Sequence, residues 1–132
     1  MAQEDKELLL KDLSGRLSYG VKFCFANSNI YTIKGIDLIV TYEGNWEYAV
    51  TAKGIDPIEI EYVKPYLRPM SSMTDEEKLE YLTVTRLQYN ENEEPYRELT
   101  IEAVDWLNSH SFDYRGLIEK GLALEAPEGM YK

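Results

Sequence analysis

The chain is poor in the residues that build reactive centres. It holds one cysteine, Cys24, and one histidine, His110, in 132 residues. A lone cysteine excludes an internal disulfide, and with a single histidine it excludes a Cys/His zinc site within the chain. Cys24 lies among strand-like residues without a cationic activator, so a thiolate nucleophile is not expected. No phosphate loop, Gly-x-Ser-x-Gly elbow, His-Glu-x-x-His pair or Asp-x-Asp-x-Asp-Gly calcium loop is present. No cofactor, metal ion or catalytic residue is therefore expected.

Long apolar runs are missing too. Leu8-Leu9-Leu10 is too short to export or span, and the start, Met-Ala-Gln-Glu-Asp-Lys-Glu, is polar and acidic. The expectation is a cytoplasmic protein without membrane association. Basic residues are in deficit: 14 Lys and Arg face 24 Asp and Glu, for a net charge of −10. Such a surface repels nucleic-acid phosphate, so direct nucleic-acid binding is not expected. The acids are spread, with −4 in residues 1–62 and −6 in residues 63–132.

What is present describes one globular unit. Hydrophobic residues make up 44% of the chain, enough for a core. Eleven tyrosines suit half-buried strand faces and also interfaces. The pattern divides at Tyr62 to Glu77. Pro65 and Pro69 push Lys64 and Arg68 toward extended geometry, so no regular element is expected between them.

Before this connector the period is mostly two. A short helix over 4–14, with Leu9, Leu10 and Leu13 on one face, precedes alternating strands. Val21, Phe23 and Phe25 begin them, and Ala26-Asn27-Ser28-Asn29 has turn composition. Ile36, Leu38, Val40 and Tyr42 share a face, and Glu43-Gly44-Asn45 is a hairpin-like turn. Trp46, Tyr48, Val50 and Ala52 follow. Ile58, Ile60 and Tyr62 form the cleanest amphipathic strand.

After the connector the reading is helical. Thr74 and Glu77 make a capping box for a helix to about Thr85, with Leu79 and Leu82 inward and Tyr81 and Val84 at the margins. Gln88 to Arg97 reads as an exposed loop. Thr100 caps a second helix to about Ser109, placing Trp106 and His110 one turn apart. Asp113 caps a third, Tyr114 to Lys120, with Arg115 and Glu119 spaced for an ion pair. Order ends near Pro127 and Gly129.

The expected fold is one α+β domain over residues 1–132. An antiparallel sheet of four or five strands in a meander carries three or four short helices, packed mainly on one face. Residues 1–62 supply the N-terminal helix and strands, 63–73 the connector, and 74–132 the mainly helical part.

Two stretches carry a resemblance. One is Lys64-Pro65-Tyr66-Leu67-Arg68-Pro69-Met70-Ser71-Ser72-Met73-Thr74. The other is Asp105-Trp106-Leu107-Asn108 with Phe112-Asp113-Tyr114-Arg115-Gly116-Leu117-Ile118-Glu119-Lys120-Gly121-Leu122-Ala123. With Leu8 to Leu13 and Leu17 to Lys22, these resemble a group of short, uncharacterised proteins of gut Bacteroides-type bacteria and their phages or integrated elements. The resemblance implies a bacterial or phage context and carries over no catalytic residue.

The function expected is a non-enzymatic accessory module that binds another protein, encoded by a bacterium or its phage or mobile element. The partner-contact candidates are Tyr66, Arg68, Met70, Trp106, His110, Asp113 and Arg115. One alternative is an acidic inhibitor that mimics nucleic-acid charge, motivated by Glu91, Glu93 and Glu94. Another is a small enzyme using His110 and Asp113, which needs a third reactive group beside them.

Overall fold

The computed structural model describes residues 1–25 and 29–131. It is an α+β fold with three helices, a six-stranded sheet and a separate two-stranded hairpin. Helix α1 (Gln3–Arg16) is followed by β1 (Lys22–Phe25), β2 (Asn29–Val40), β3 (Trp46–Ala52) and β4 (Ile58–Glu59). Then come β5 (Lys64–Leu67), α2 (Asp75–Val84), β6 (Thr85–Tyr89), β7 (Pro95–Leu99), α3 (Ile101–Ser109) and β8 (Leu124–Glu125). The expected turn at Ala26 to Asn29 lies, except for Asn29, outside the described residues.

The sheet order is β4-β3-β2-β1-β5-β8. The first four strands form the expected antiparallel meander, but β5 joins beside β1, at the far side from β4. The chain must therefore leave the sheet after β4 and cross to its other half. That crossing explains why Ile58, Ile60 and Tyr62 are not one strand. Only Ile58 and Glu59 are extended, and Ile60–Tyr62 is a 3-10 turn closed by the Val63 amide donating to the Ile60 carbonyl. Ile58 and Ile60 are still buried, while Tyr62 points to solvent.

The proline connector is also more regular than expected. Lys64–Leu67 pairs antiparallel with β1 and, from Tyr66 onward, parallel with β8. Pro65 is tolerated because β8 begins its pairing only at Tyr66, so Pro65 has one strand neighbour. The tail does not end at Pro127. The Tyr131 hydroxyl donates to the Tyr66 carbonyl at 2.6 Å and accepts from the Lys22 amide at 2.9 Å, tying residues 126–131 back over β1 and β5.

The core gathers Leu9 and Leu13 of α1, Phe23, Ile33, Val50, Ile58 and Leu67 from the sheet, Val21, Ile60 and Val63 from the segments that flank its strands, and Leu117, Leu122 and Ala123 from the tail. The Thr74 capping box forms as the sequence predicts, with the Glu77 amide donating to Thr74 Oγ1 and the Thr74 amide to Glu77 Oε1.

Two segments after the connector depart from expectation. Gln88 to Arg97 is no simple loop. It belongs to the β6–β7 hairpin, whose turn is held by the Asn92 and Glu94 amides donating to Asn90 Oδ1. Residues 114–120 are not a helix. Asp113 does accept from the Leu117 and Ile118 amides, but Gly116 adopts a left-handed φ of 72°, which stops helical propagation.

Candidate functional site

The expected contact residues part company in the structure. Arg68, Trp106 and His110 come together. The backbone of Arg68 continues β5 by pairing with Phe112: its amide donates to the Ser111 carbonyl, and its carbonyl accepts from the Asp113 amide. This places the Arg68 guanidinium 4.2 Å from the centroid of the fully buried Phe112 ring. Trp106 stacks on Phe112 at 5.6 Å, and His110 stacks on Trp106 at 4.3 Å. The one-turn spacing of Trp106 and His110 thus becomes part of a layered cation–aromatic cluster.

The charges in this cluster are already engaged. Arg68 donates to both Glu77 oxygens, at 2.7 and 2.8 Å. That bidentate pair, with the Thr74 contacts, holds the Glu77 carboxyl down at about 2 against burial, which acts the other way. The Trp106 indole N–H donates to Glu80 Oε2 at 2.9 Å, and His110 Nε2 lies 4.0 Å from the same oxygen. His110 Nδ1 is 2.8 Å from the Trp106 carbonyl, which can only accept, so Nδ1 carries the proton. Ser109 also donates its hydroxyl to that carbonyl, at 2.8 Å. Ser109 therefore has no base in His110, although the two touch at 3.1 Å.

Asp113 and Arg115 serve elsewhere. Asp113 is buried, and among the described residues no hydrogen bond or ion pair joins it to His110. The carboxylate beside His110 is Glu80. Arg115 does not pair with Glu119; it donates to Asp12 of α1 at 2.8 Å. Tyr66 lies on β5, where burial and the neighbouring Cys24 thiol raise its phenol. Met70 sits half-buried in the 3-10 turn Met70–Ser72. An open cleft of about 760 Å³ is lined by Arg68, Glu77, Ser109, His110 and the tail residues 125–131. Among the described residues no group of three His, Cys, Asp or Glu side chains is arranged to hold a metal ion.

The larger unpartnered surfaces were not singled out by sequence. In the β2–β3 hairpin, Ile36 pairs with Val50, Leu38 with Tyr48 and Val40 with Trp46. Alternation puts all six side chains on one face. Val50 belongs to the core and Ile36 packs against it, yet Leu38, Tyr48, Val40 and Trp46 are exposed, Trp46 by 69%. β1 pairs with β2 only over residues 29–32, so the ribbon from Ile36 to Tyr48 runs beyond it. An open groove of about 950 Å³ lies beside the ribbon, lined by residues including Phe25, Ile39, Tyr42, Ile55, Pro57 and Tyr62.

The ribbon's edge is less available than its face. The Thr41 amide donates to the Asn45 carbonyl, which makes Leu38–Tyr48 and Val40–Trp46 the non-hydrogen-bonded pairs. The Leu38 amide consequently points to the open edge, where Asp37 Oδ1 accepts it at 2.8 Å. A carboxylate there occupies a donor that an added strand would need.

Helix α2 has its own exposed apolar side. Leu79 and Leu82 do not face inward; Leu79 is 66% exposed. The inward contact is Tyr81, whose ring meets Trp106 at 5.9 Å. Leu82 and Leu79 lie roughly 100° and 160° around the helix from it. Among the described residues no helix is long and apolar enough to cross a membrane. No protein-family model, curated protein or solved structure matches the chain.

Proposed function

We propose that this chain is a non-enzymatic interaction module of a bacterium, or of its phage or mobile element, and that it binds another protein through the β2–β3 ribbon. The observation that carries the reading is the uncovered ladder of Leu38–Tyr48 and Val40–Trp46, which continues the core face past the body of the fold. Close cross-strand pairs of aromatic and aliphatic side chains are rigid and lose little entropy on docking. Trp and Tyr are also the residues that most often dominate interface energy. The partner offers apolar side chains to the face and groove rather than a strand to the edge, because Asp37 occupies the Leu38 amide.

The cleft at His110 supports this better than it supports catalysis. Ser109 lacks a base, Arg68 is spent on Glu77, and Asp113 is spent on amides. Of the sequence-derived contact set, Arg68 and His110 line the cleft, and with Arg68 held by Glu77, His110 remains there as a secondary contact.

The test is photocrosslinking in a Bacteroides-type host from Tyr48→p-benzoylphenylalanine, followed by titration of the captured protein, purified, against the chain. Leu38→Asp and Trp46→Ser are expected to weaken that binding by about tenfold or more. Unchanged affinity in both variants would remove the ribbon as the contact surface.

A further inference from the structure

We propose that the α2–β6–β7 arm is a second docking surface, and that its occupant is a protein surface with an apolar centre rimmed by Lys and Arg side chains. It does not rest on the β2–β3 reading, since the residues are different.

The hairpin is two-faced. Its register pairs Thr85 with Leu99, Leu87 with Arg97 and Tyr89 with Pro95 on one side. Arg86 with Glu98 and Gln88 with Tyr96 lie on the other. The first face is mainly apolar; the second is polar apart from the Tyr96 ring, with Gln88 donating to Glu98 at 3.4 Å. In an ordinary hairpin the apolar face is the buried one. Here only Thr85, at the base, is buried, and Leu87, Tyr89 and Leu99 are exposed. A two-stranded hairpin alone in water is marginal. This one is anchored at its root, where the Thr100 hydroxyl donates to the Val84 carbonyl at 2.6 Å.

Exposed apolar side chains also flank the hairpin along the chain. Helix α2 runs directly into β6, with Leu79 and Leu82 exposed; two residues after Leu99, Ile101 is 83% exposed at the start of α3. Leu79, Leu82, Leu87, Tyr89, Leu99 and Ile101 together expose the equivalent of about three and a half whole side chains. At roughly 200 Å² each that is roughly 700 Å². A standard interface uses about 800 Å² per partner and a small one about 600.

Charge selects the occupant. Residues 75–102 hold nine acids and three bases, and with Glu77 paired to Arg68 the remainder is still −5, half of the chain's −10. Glu91, Glu93 and Glu94 stand on the hairpin turn itself. A second copy docked face to face would bring two such surfaces together, at a cost of several kcal/mol. Nucleic acid and anionic membranes are repelled by the same charge. A basic rim around an apolar centre meets both features.

The probe is a synthetic amphipathic peptide with leucines on one face and lysines along its flanks. Two matched controls replace the lysines by glutamates or the leucines by serines. Calorimetry at low and high salt should show one-to-one binding of the Leu/Lys peptide, about tenfold or more tighter than either control and weakened by salt. Leu87→Ser and Tyr89→Ser should each weaken it about tenfold, and Leu38→Asp on the other ribbon should not. In the unsubstituted chain, amide shift changes on titration should fall within residues 79–101, a readout independent of how the variants fold. The proposal is overturned if the glutamate peptide binds as tightly, which is apolar stickiness, or if the serine peptide does, which is charge alone. Shifts confined to the β2–β3 ribbon, or a dimer in sedimentation that Leu87→Ser dissolves, would also overturn it.

Discussion

The Asp12 carboxylate accepts a 2.8 Å hydrogen bond from the guanidinium of Arg115, 103 residues further along the chain. It also accepts from Arg16, one turn on in α1, at 2.8 and 3.1 Å. Asp12 and Arg16 are fully buried, and Arg16 reaches the Phe112 carbonyl at 2.6 Å. The N-terminal helix is thereby fixed to the segment that also carries Phe112 and the Arg68 contact.

Removing the acid from this network should be severe. Asp12→Ala leaves a buried guanidinium uncompensated, and a loss of about 3–5 kcal/mol is expected in urea unfolding. Replacing both partners, Asp12→Leu with Arg16→Met, should cost less than Asp12→Ala alone. Arg16 Nη1 has no hydrogen-bond partner among the described residues, so the pair is imperfectly satisfied as it stands.

Acid should release the Arg68–Glu77 clamp. The folded Glu77 carboxyl titrates at about 2, below the 4.5 of an unperturbed one. The unfolded chain thus takes up the proton first as pH falls, and the contribution to stability is lost between about pH 4.5 and pH 2. The stability difference between the protein and its Glu77→Gln variant should be roughly 1 kcal/mol at neutral pH. It should shrink across that window. A difference independent of pH would show that the carboxylate charge is not what Arg68 uses.

The Tyr131 hydroxyl makes a matching case at high pH. Burial raises its phenol above the usual 10.0, more than the Lys22 contact lowers it. Its contribution is therefore present below pH 10 and lost as pH rises through the higher folded value. Tyr131→Phe should cost about 1 kcal/mol near neutrality and speed hydrogen exchange at the Lys22 amide. Unaltered exchange there would mean the tail does not hold β1.

Helix orientation can be checked by contrast. Leu79→Ser and Leu82→Ser, at exposed positions, should change stability by no more than about 0.5 kcal/mol. Leu107→Ala, fully buried on α3, should cost about 2–5 kcal/mol. A large loss at Leu82 would place it in the core and remove the arm as a docking surface.

Local chemistry made several elements legible. The Thr74–Glu77 capping box, the Thr100 cap and the turn at Glu43-Gly44-Asn45 are contacts between near neighbours, so residue type and spacing suffice to write them. The alternation of Ile36 to Val40 with Trp46 to Val50 was equally readable, and it placed these residues correctly on one face. The period-two pattern of Thr85, Leu87 and Tyr89 was a usable signal for β6, obscured by the acids that follow it.

Which face meets the core is another matter, because alternation and helical period name a face without saying what lies behind it. The ladder of β2 and β3 starts in the core at Val50 and ends in solvent at Trp46, and the alternation along it is the same at both ends. Leu79 and Leu82 look inward by hydrophobicity, yet Tyr81 takes that place because Trp106 stands opposite it. The partners of Arg68, Asp113 and Arg115 were likewise set by strand order, which brings residues 111–115 alongside the end of β5 and the middle of α1. The sequence by itself determined the segments, their caps and their overall acidity. Tertiary packing decided which charges are consumed inside and which apolar faces are left over, since both depend on distances between residues far apart in the chain.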